Sequence, residues 1–267
     1  MLRHAVIFAA IICSPLGAAD AHTTGDEPDL PLEGKTEALT FATSSGSWLS
    51  LDITANGEDI VFDLLGDLYR LPIEGGTATR ITSGLGFDSQ PVVSPDGDWI
   101  AFVSDRSGSV NLWISRIDGS DARQLSDEKQ FGLISPAWTP DAEFVIATKT
   151  ADEPELVMYH RAGGKGVTLS SADEETKFWG VGAAVSPDGR YVYVAASAES
   201  TGPVEDFPSA QVFRYDRVSG HADQITRGEG GGFRPALSPD GRLLVYGTRD
   251  DAQTGLRIRD LVDGSDR

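Results

Sequence analysis

The sequence has 267 residues, of which 40% are hydrophobic, and its 22 Lys and Arg against 41 Asp and Glu give a formal net charge of −19. A chain this acidic repels phosphate backbones and anionic lipids, so we expect neither nucleic acid nor a membrane surface as a partner. The single cysteine, Cys13, lies near the amino terminus, and the rest of the chain therefore needs no disulfide to fold.

The first residues differ in composition from the rest of the chain. Arg3 and His4 precede an apolar run, Ala5 to Ile12, and small residues follow it. This pattern predicts a secretory signal peptide over residues 1–21. Residues 22–35 are polar and acidic with two prolines, which predicts a disordered leader. We expect a bacterial protein exported to the periplasm or the exterior, and no membrane span, because no other apolar run is long enough.

A four-residue turn recurs along the chain, and Ser94-Pro95-Asp96-Gly97 is its clearest copy. Proline presets φ for the first corner, aspartate can bond to its own backbone, and glycine takes the positive φ that closes the turn. The motif predicts a hairpin between two strands. Two intact and two altered copies occur elsewhere, namely Ser186-Pro187-Asp188-Gly189, Ser238-Pro239-Asp240-Gly241, Thr54-Ala55-Asn56-Gly57 and Thr139-Pro140-Asp141-Ala142.

The spacing of these turns indicates the architecture. Their fourth residues (Gly57, Gly97, Ala142, Gly189 and Gly241) lie 40, 45, 47 and 52 residues apart. A four-stranded propeller blade takes roughly 40–45 residues. We therefore predict an all-β fold, a β-propeller of four-stranded antiparallel blades over residues 36–267, with five repeats at about 48–82, 89–125, 134–169, 181–225 and 233–267.

The second repeat shows the expected strands, lettered A to D in chain order. Strand A is predicted at Ser89–Val93, B at Trp99–Ser104, C at Asn111–Asp118 and D at Ala122–Leu125. The apolar residues of Trp99–Val103 are consecutive rather than alternating, which predicts burial on both faces of the sheet. Neighbouring blades would provide that burial.

The fifth repeat is incomplete, because the chain ends at Arg267, where its strand D should begin. Two arrangements are open. Residues 36–43 read as an extra strand that could pair with Leu256–Leu261 and close a five-bladed ring. Alternatively the chain is a truncated fragment of a longer protein, and the ring is open or incomplete.

Several runs resemble the TolB-like, WD40-like repeats of exported bacterial proteins, and are closest to the amino-terminal propeller of large secreted amidohydrolases. The resemblance covers about Thr36 to Arg267 and implies further blades followed by a metal-dependent hydrolase barrel, which this chain lacks. The runs that carry it are Trp48–Asp52, Ile60–Tyr69, Thr82–Pro91, Phe102–Gly108 and Tyr159–Gly164.

The residue inventory argues against catalysis by this chain. After the predicted cleavage its histidines, His22, His160 and His221, are isolated, with no His-x-His pair and no His-Glu-x-x-His. There is also no Gly-x-Ser-x-Gly nucleophile elbow. We therefore expect no enzyme activity, no metal and no cofactor.

We expect a binding site at the positions where the repeats differ in sequence. In each blade the A–B and C–D turns share one face, the turn face, and the B–C and D–A connections share the other, the loop face. Two expanded acidic loops, 170–179 and 198–208, lie on the loop face. So do the channel-lining starts of the A strands, with Asp105, Arg106 and Arg249 at the rim. The residues four positions before each turn are Ser50, Gln90, Ser135, Gly182 and Arg234.

We interpret Ser50, Gln90, Ser135, Arg234 and the three rim residues as a candidate binding site. A water-filled channel without a ligand is the simpler alternative. Three functions remain open for the monomer that we expect: a scaffold or binding domain for a protein or for a carboxy-terminal amidohydrolase domain, a stand-alone TolB-like cell-envelope propeller, or the substrate-gating propeller of a serine peptidase.

Overall fold

The computed structural model describes residues 41–150, 154–170, 182–196, 210–250 and 253–267. The expected signal peptide, the leader and residues 36–40 lie outside this part of the chain. Nearly all of the two long loops, 170–179 and 198–208, also lies outside it. These predictions therefore stay predictions.

Every element in the described ranges is a β-strand, as the short turn-bounded apolar runs predict. No helix of the described residues is long and apolar enough to cross a membrane. In chain order the strands are β1 Leu51–Ile53, β2 Asp59–Leu64, β3 Asp67–Pro72, β4 Thr79–Arg80, β5 Asp88–Val93, β6 Trp99–Ser104, β7 Asn111–Arg116, β8 Arg123–Gln124, β9 Leu133–Trp138, β10 Phe144–Lys149, β11 Glu155–His160, β12 Val167–Ser170, β13 Ala183–Val185, β14 Tyr191–Ala196, β15 Gln211–Asp216, β16 Ala222–Gln224, β17 Phe233–Leu237, β18 Leu243–Asp250 and β19 Gln253–Asp260.

The strands form five antiparallel sheets, each hydrogen-bonded in sequence order. Four sheets have four strands, β1 to β4, β5 to β8, β9 to β12 and β13 to β16, and the last has three, β17 to β19. The A strands of consecutive blades (β1, β5, β9, β13 and β17) pack beside one another in order. This arrangement confirms the predicted fold class, an all-β propeller with five blades.

The core lies between the blades, and β6 shows how it is built. Ile100 and Phe102 pack on Val61 and Leu68 of the first blade. The intervening Ala101 belongs to the cluster shared with the third blade. Because successive side chains of a strand point to opposite faces, a run of consecutive apolar residues is what a sheet buried on both faces requires.

All five A–B turns have the same geometry, including the two altered copies. The Ser94 hydroxyl donates to the Asp96 carboxylate and accepts the Trp99 N–H at 3.0 Å. In the altered copies the hydroxyls of Thr54 and Thr139 donate in the same way to the third residue of the turn. Such hydroxyl donation lowers the pKa of Asp141, Asp188 and Asp240.

The fourth position of each turn has positive φ. The backbone φ is 79° at Gly97 but still 57° at Ala142. An L-residue in the left-handed region costs roughly 1–2 kcal/mol, so glycine is the residue that the turn prefers. Ala142 shows that the turn forms even where glycine is absent.

The last blade is extended by the end of the chain itself. The backbones of Ile258 and Arg267 exchange two hydrogen bonds of 2.8 and 3.0 Å, and Arg259 forms a bridge with Asp266. The free edge of β19 at Ile258 is therefore paired with the last residues of the chain. In the arrangement considered from the sequence, residues 36–43 would pair with this strand instead. Some apolar side chains of the first and last blades are exposed, including Leu51 of β1 at 58% and Leu256 of β19 at 77%.

Candidate functional site at the channel mouth

Four of the five positions singled out by the sequence have an unusual backbone conformation, and three of them lie at bulges of their A strands. Backbone φ is positive at Gln90 (55°), Ser135 (55°), Gly182 (85°) and Arg234 (49°). The pairing register shifts next to three of these residues, in β5, β9 and β17. A bulge rotates the local backbone away from the ladder, so the N–H of the bulged residue can reach the neighbouring blade.

A series of hydrogen bonds that we call the relay connects Ser50, Gln90, Ser135 and Gly182. The Gln90 N–H donates to Asp63 Oδ2 at 2.8 Å, and the Ser50 N–H donates to Oδ1 of the same carboxylate at 2.9 Å. The Ser135 N–H donates to Gln90 Oε1 at 2.7 Å. The Gly182 N–H donates to Ser135 Oγ at 2.8 Å. The side chains of Gln90 and Ser135 therefore help to hold adjacent blades together.

The relay ends at Gly182, which has no side chain to accept the next N–H. A Cβ atom at this position would lie 2.7 Å from the Cα of Arg234. The fourth and fifth blades thus meet here by direct backbone contact. Both the positive φ and this close approach require glycine.

Other contacts between blades have the same direction as the relay. The Val93 N–H donates to Asp52 Oδ2 at 2.8 Å, and the Trp138 indole N–H donates to the Val92 carbonyl at 3.0 Å. The Tyr215 hydroxyl donates to the Leu169 carbonyl. In each case the donor belongs to the later blade. Burial raises the pKa of Asp52, although N–H groups of Val93 and Ile53 oppose this shift.

A cleft of about 530 Å³ opens at the channel mouth on the loop face. It brings together three of the predicted site residues, Ser50, Gln90 and Arg234, while Ser135 and the three rim residues are not part of its wall. Its wall is formed by Phe41, Thr43, Ser45, Gly46, Ser47, Trp48, Leu49, Ser50, Asp63, Leu64, Leu65, Gly66, Phe87, Ser89, Gln90 and Arg234.

The cleft wall is largely apolar, which the sequence analysis missed. The exposed fractions are 93% for Trp48, 72% for Leu65 and 59% for Phe87. Leu65 lies in the B–C turn of the first blade, where an apolar residue is unusual, and that was the available signal in the sequence. Asp63 was also missed, because nothing in its sequence context distinguishes it from a strand residue.

Each of the three predicted rim residues makes a contact within the protein. Asp105 Oδ1 accepts the Phe87 N–H at 2.7 Å. Arg106 forms an ion pair with Asp88, whose side chain is fully buried. The Arg249 guanidinium lies 5.9 Å from the centre of the Phe233 ring.

Metal-ligating groups are not brought together in the described part of the chain. No cluster of three or more His, Cys, Asp or Glu side chains that could hold a metal ion occurs among those residues. His160 lies 3.3 Å from Glu143 Oε2, and His221 lies 3.4 Å from Asp223 Oδ1. Both histidines lie near the turn face, away from the cleft.

Comparison with protein families identifies the repeats. A profile described as the tricorn protease N-terminal beta propeller domain matches residues 52–203, more than half of the chain. The chain belongs to this family. The match covers blades one to three and reaches beyond strand β14 of the fourth.

The sequence relatives are longer proteins of several kinds. An uncharacterized peptidase of Bacillus subtilis, YuxL, is 28% identical over 172 residues, which are 64% of this chain and 23% of the peptidase. A TolB homolog of Chlorobaculum tepidum is 30% identical over 98 residues, 37% of this chain and 22% of that protein. The matched region is therefore about a quarter of the length of these relatives.

Solved structures show the same fold at low sequence identity. A putative TolB from Agrobacterium tumefaciens superposes with a TM-score of 0.70 at 18% identity, over 85% of this chain and 81% of that one. The tricorn protease superposes with a TM-score of 0.53 at 14% identity, over 84% of this chain and 23% of the protease. The chain thus has the TolB-like propeller fold.

The relay gives a first test of how the channel mouth is built. Replacing Gln90 with leucine keeps the approximate shape of the side chain but removes the acceptor of the Ser135 N–H. An unsatisfied buried N–H costs about 1–3 kcal/mol, and the free energy of unfolding in urea should fall by that amount. Gln253→Leu, at an exposed position of β19, is the control. Equal stability of both variants would show that the bond contributes nothing.

Proposed function

We propose that this propeller is a non-catalytic binding domain whose channel mouth takes up a segment of a partner polypeptide. The observation that carries the proposal is the cleft on the loop face. It combines exposed apolar side chains with polar groups of the A strands, and pockets of about 300–1,000 Å³ with that mixture are the usual ligand sites of proteins.

The apolar side chains of the cleft support a polypeptide rather than a solvent channel. Trp48, Leu65 and Phe87 are exposed together at one mouth. Contiguous exposed apolar surface on a protein usually marks an interaction site. A channel that held only water would gain nothing from an indole at 93% exposure.

The lack of His-x-His, His-Glu-x-x-His and Gly-x-Ser-x-Gly motifs in the sequence is the basis for proposing a role without catalysis. We propose that any hydrolysis is performed by another domain of a longer protein. The resemblance to secreted amidohydrolases supports a metal-dependent hydrolase domain as that partner. The match to a peptidase supports a serine peptidase, in which the propeller would restrict substrate access. The similarity to a TolB homolog supports a stand-alone envelope propeller.

The coding sequence beyond Arg267 separates these three contexts. Further blades followed by a His-x-His motif would favour the amidohydrolase, and Gly-x-Ser-x-Gly would favour the peptidase. A stop codon would favour the stand-alone propeller. Export is part of the proposal, and sequencing of the mature amino terminus tests it, since the predicted cleavage leaves a chain that starts near His22.

Peptide binding can be measured directly on the purified chain. We expect members of an immobilised library of random short peptides to bind the native protein, and the double variant Trp48→Ser, Leu65→Ser to lose most of that binding. Val218→Ser is the matched control, because Val218 is 80% exposed but lies in a C–D turn on the opposite face. Binding that is unchanged in the double variant, or absent from the native chain, would contradict a peptide site in this cleft.

A further inference from the structure

Arg234 is an unpaired cation in the wall of the cleft. Its side chain is exposed, and within the described residues its guanidinium makes no hydrogen bond, ion pair or aromatic contact. Other arginines of the molecule are engaged, for example Arg106 with Asp88 and Arg190 with Asp216. Nine arginines of the described residues form ion pairs with Asp or Glu, and Arg234 is not one of them.

Among the described residues, the cleft wall has one other charged side chain, Asp63, whose carboxylate oxygens already accept hydrogen bonds. Both carboxylate oxygens of Asp63 accept backbone N–H groups, at 2.9 Å from Ser50 and 2.8 Å from Gln90. The residue is only 7% exposed. Among the described residues of the wall, Arg234 is therefore the ionic group that remains open to a ligand.

The exposed side chains that share the cleft with Arg234 are mostly apolar. Phe41 is 49% exposed, and Trp48, Leu65 and Phe87 are exposed more than that. A ligand that fills the cleft must therefore present apolar side chains together with a single anionic group. The planar guanidinium matches a carboxylate, with which it can form two parallel hydrogen bonds.

We infer that the cleft binds the carboxy-terminal end of an apolar peptide, with the terminal carboxylate on Arg234. This inference rests on the proposed function. A volume of about 530 Å³ suits a short peptide end. A strongly acidic segment would be repelled by the overall charge of −19, whereas one terminal carboxylate can be neutralised by the one open arginine.

Three synthetic peptides test the inference by isothermal titration calorimetry: acetyl-Ala-Leu-Phe with a free carboxylate, the same peptide as its amide, and acetyl-Glu-Leu-Phe amide. We expect the free acid to bind the native chain at least about tenfold more tightly than either amide, as a charge-assisted hydrogen bond allows. In Arg234→Gln the three affinities should become equal.

Arg257→Gln is the matched control, since Arg257 is exposed on β19 of the same blade and does not line the cleft. It removes the same charge and should keep the tenfold preference. Equal binding of the acid and its amide to the native chain, with loss in Trp48→Ser, would overturn the carboxylate assignment and leave the peptide site standing. Equal binding of the acid and the glutamyl amide would overturn the choice of a chain end.

Discussion

Replacing Arg106 with methionine is expected to lower the free energy of unfolding by about 3–5 kcal/mol, the usual cost of breaking a buried ion pair. Its partner Asp88 is fully buried, and the side chain of Arg106 is only 12% exposed. Asp88 Oδ1 has no hydrogen-bond partner of its own, so the arginine is the main compensation for the buried carboxylate. Methionine can fill the space beside the rings of Phe102 and Trp113, over which the guanidinium lies, but it leaves the charge of Asp88 uncompensated.

Urea unfolding at neutral pH measures this effect, and two variants make it specific. Arg80→Met breaks the more exposed pair with Asp67, whose closest N–O distance is 3.3 Å, and should cost about 1 kcal/mol or less. The double variant Asp88→Leu, Arg106→Met removes both charges and should recover much of the stability. A loss below about 1 kcal/mol in Arg106→Met, with an unchanged slope in urea, would contradict this account.

Replacing Gly182 with alanine is expected to cost about 2–4 kcal/mol, from two sources that act together. The φ of 85° is unfavourable for an L-residue. The new methyl group would also lie 2.7 Å from the Cα of Arg234, a backbone atom that cannot move aside by a rotamer change. The fourth and fifth blades would therefore have to separate.

Gly57→Ala separates the two contributions. Gly57 has a φ of 73°, but a Cβ atom there would have no neighbour within 4 Å. It should therefore lose only about 1–2 kcal/mol, the cost of the backbone conformation. Thermal unfolding followed by circular dichroism compares the two variants. Equal losses would mean that the contact between the blades adds no strain.

The strands and their packing could be predicted from local pattern. Trp99–Ser104 is a strand with the predicted bounds. A short run of consecutive apolar residues between two turns is typical of a strand that is buried on both faces. The altered turns at Thr54 and Thr139 fold like the intact ones, since a threonine hydroxyl serves as well as that of serine. These features could be predicted because they depend on residues that lie close together in the sequence.

The site could be predicted only in part, because its geometry depends on contacts between blades. The rule of four positions before each turn selected Ser50, Gln90 and Arg234, which do line the cleft. It could not distinguish Arg234, whose guanidinium is open, from Gln90, whose amide oxygen is used by the next blade. Arg106 was predicted at the rim from its loop position, but the buried Asp88 that pairs with it lies 18 residues away.

The direction of the hydrogen bonds between blades bears on the order in which the blades assemble during synthesis. For the relay bonds that join two blades, and for the contacts of Val93, Trp138 and Tyr215, the acceptor lies one blade nearer the amino terminus than the donor. Domains emerge from the ribosome with the amino terminus first. Each new A strand therefore meets acceptors that have already been synthesised, and the blades can be added one after another without waiting for the end of the chain.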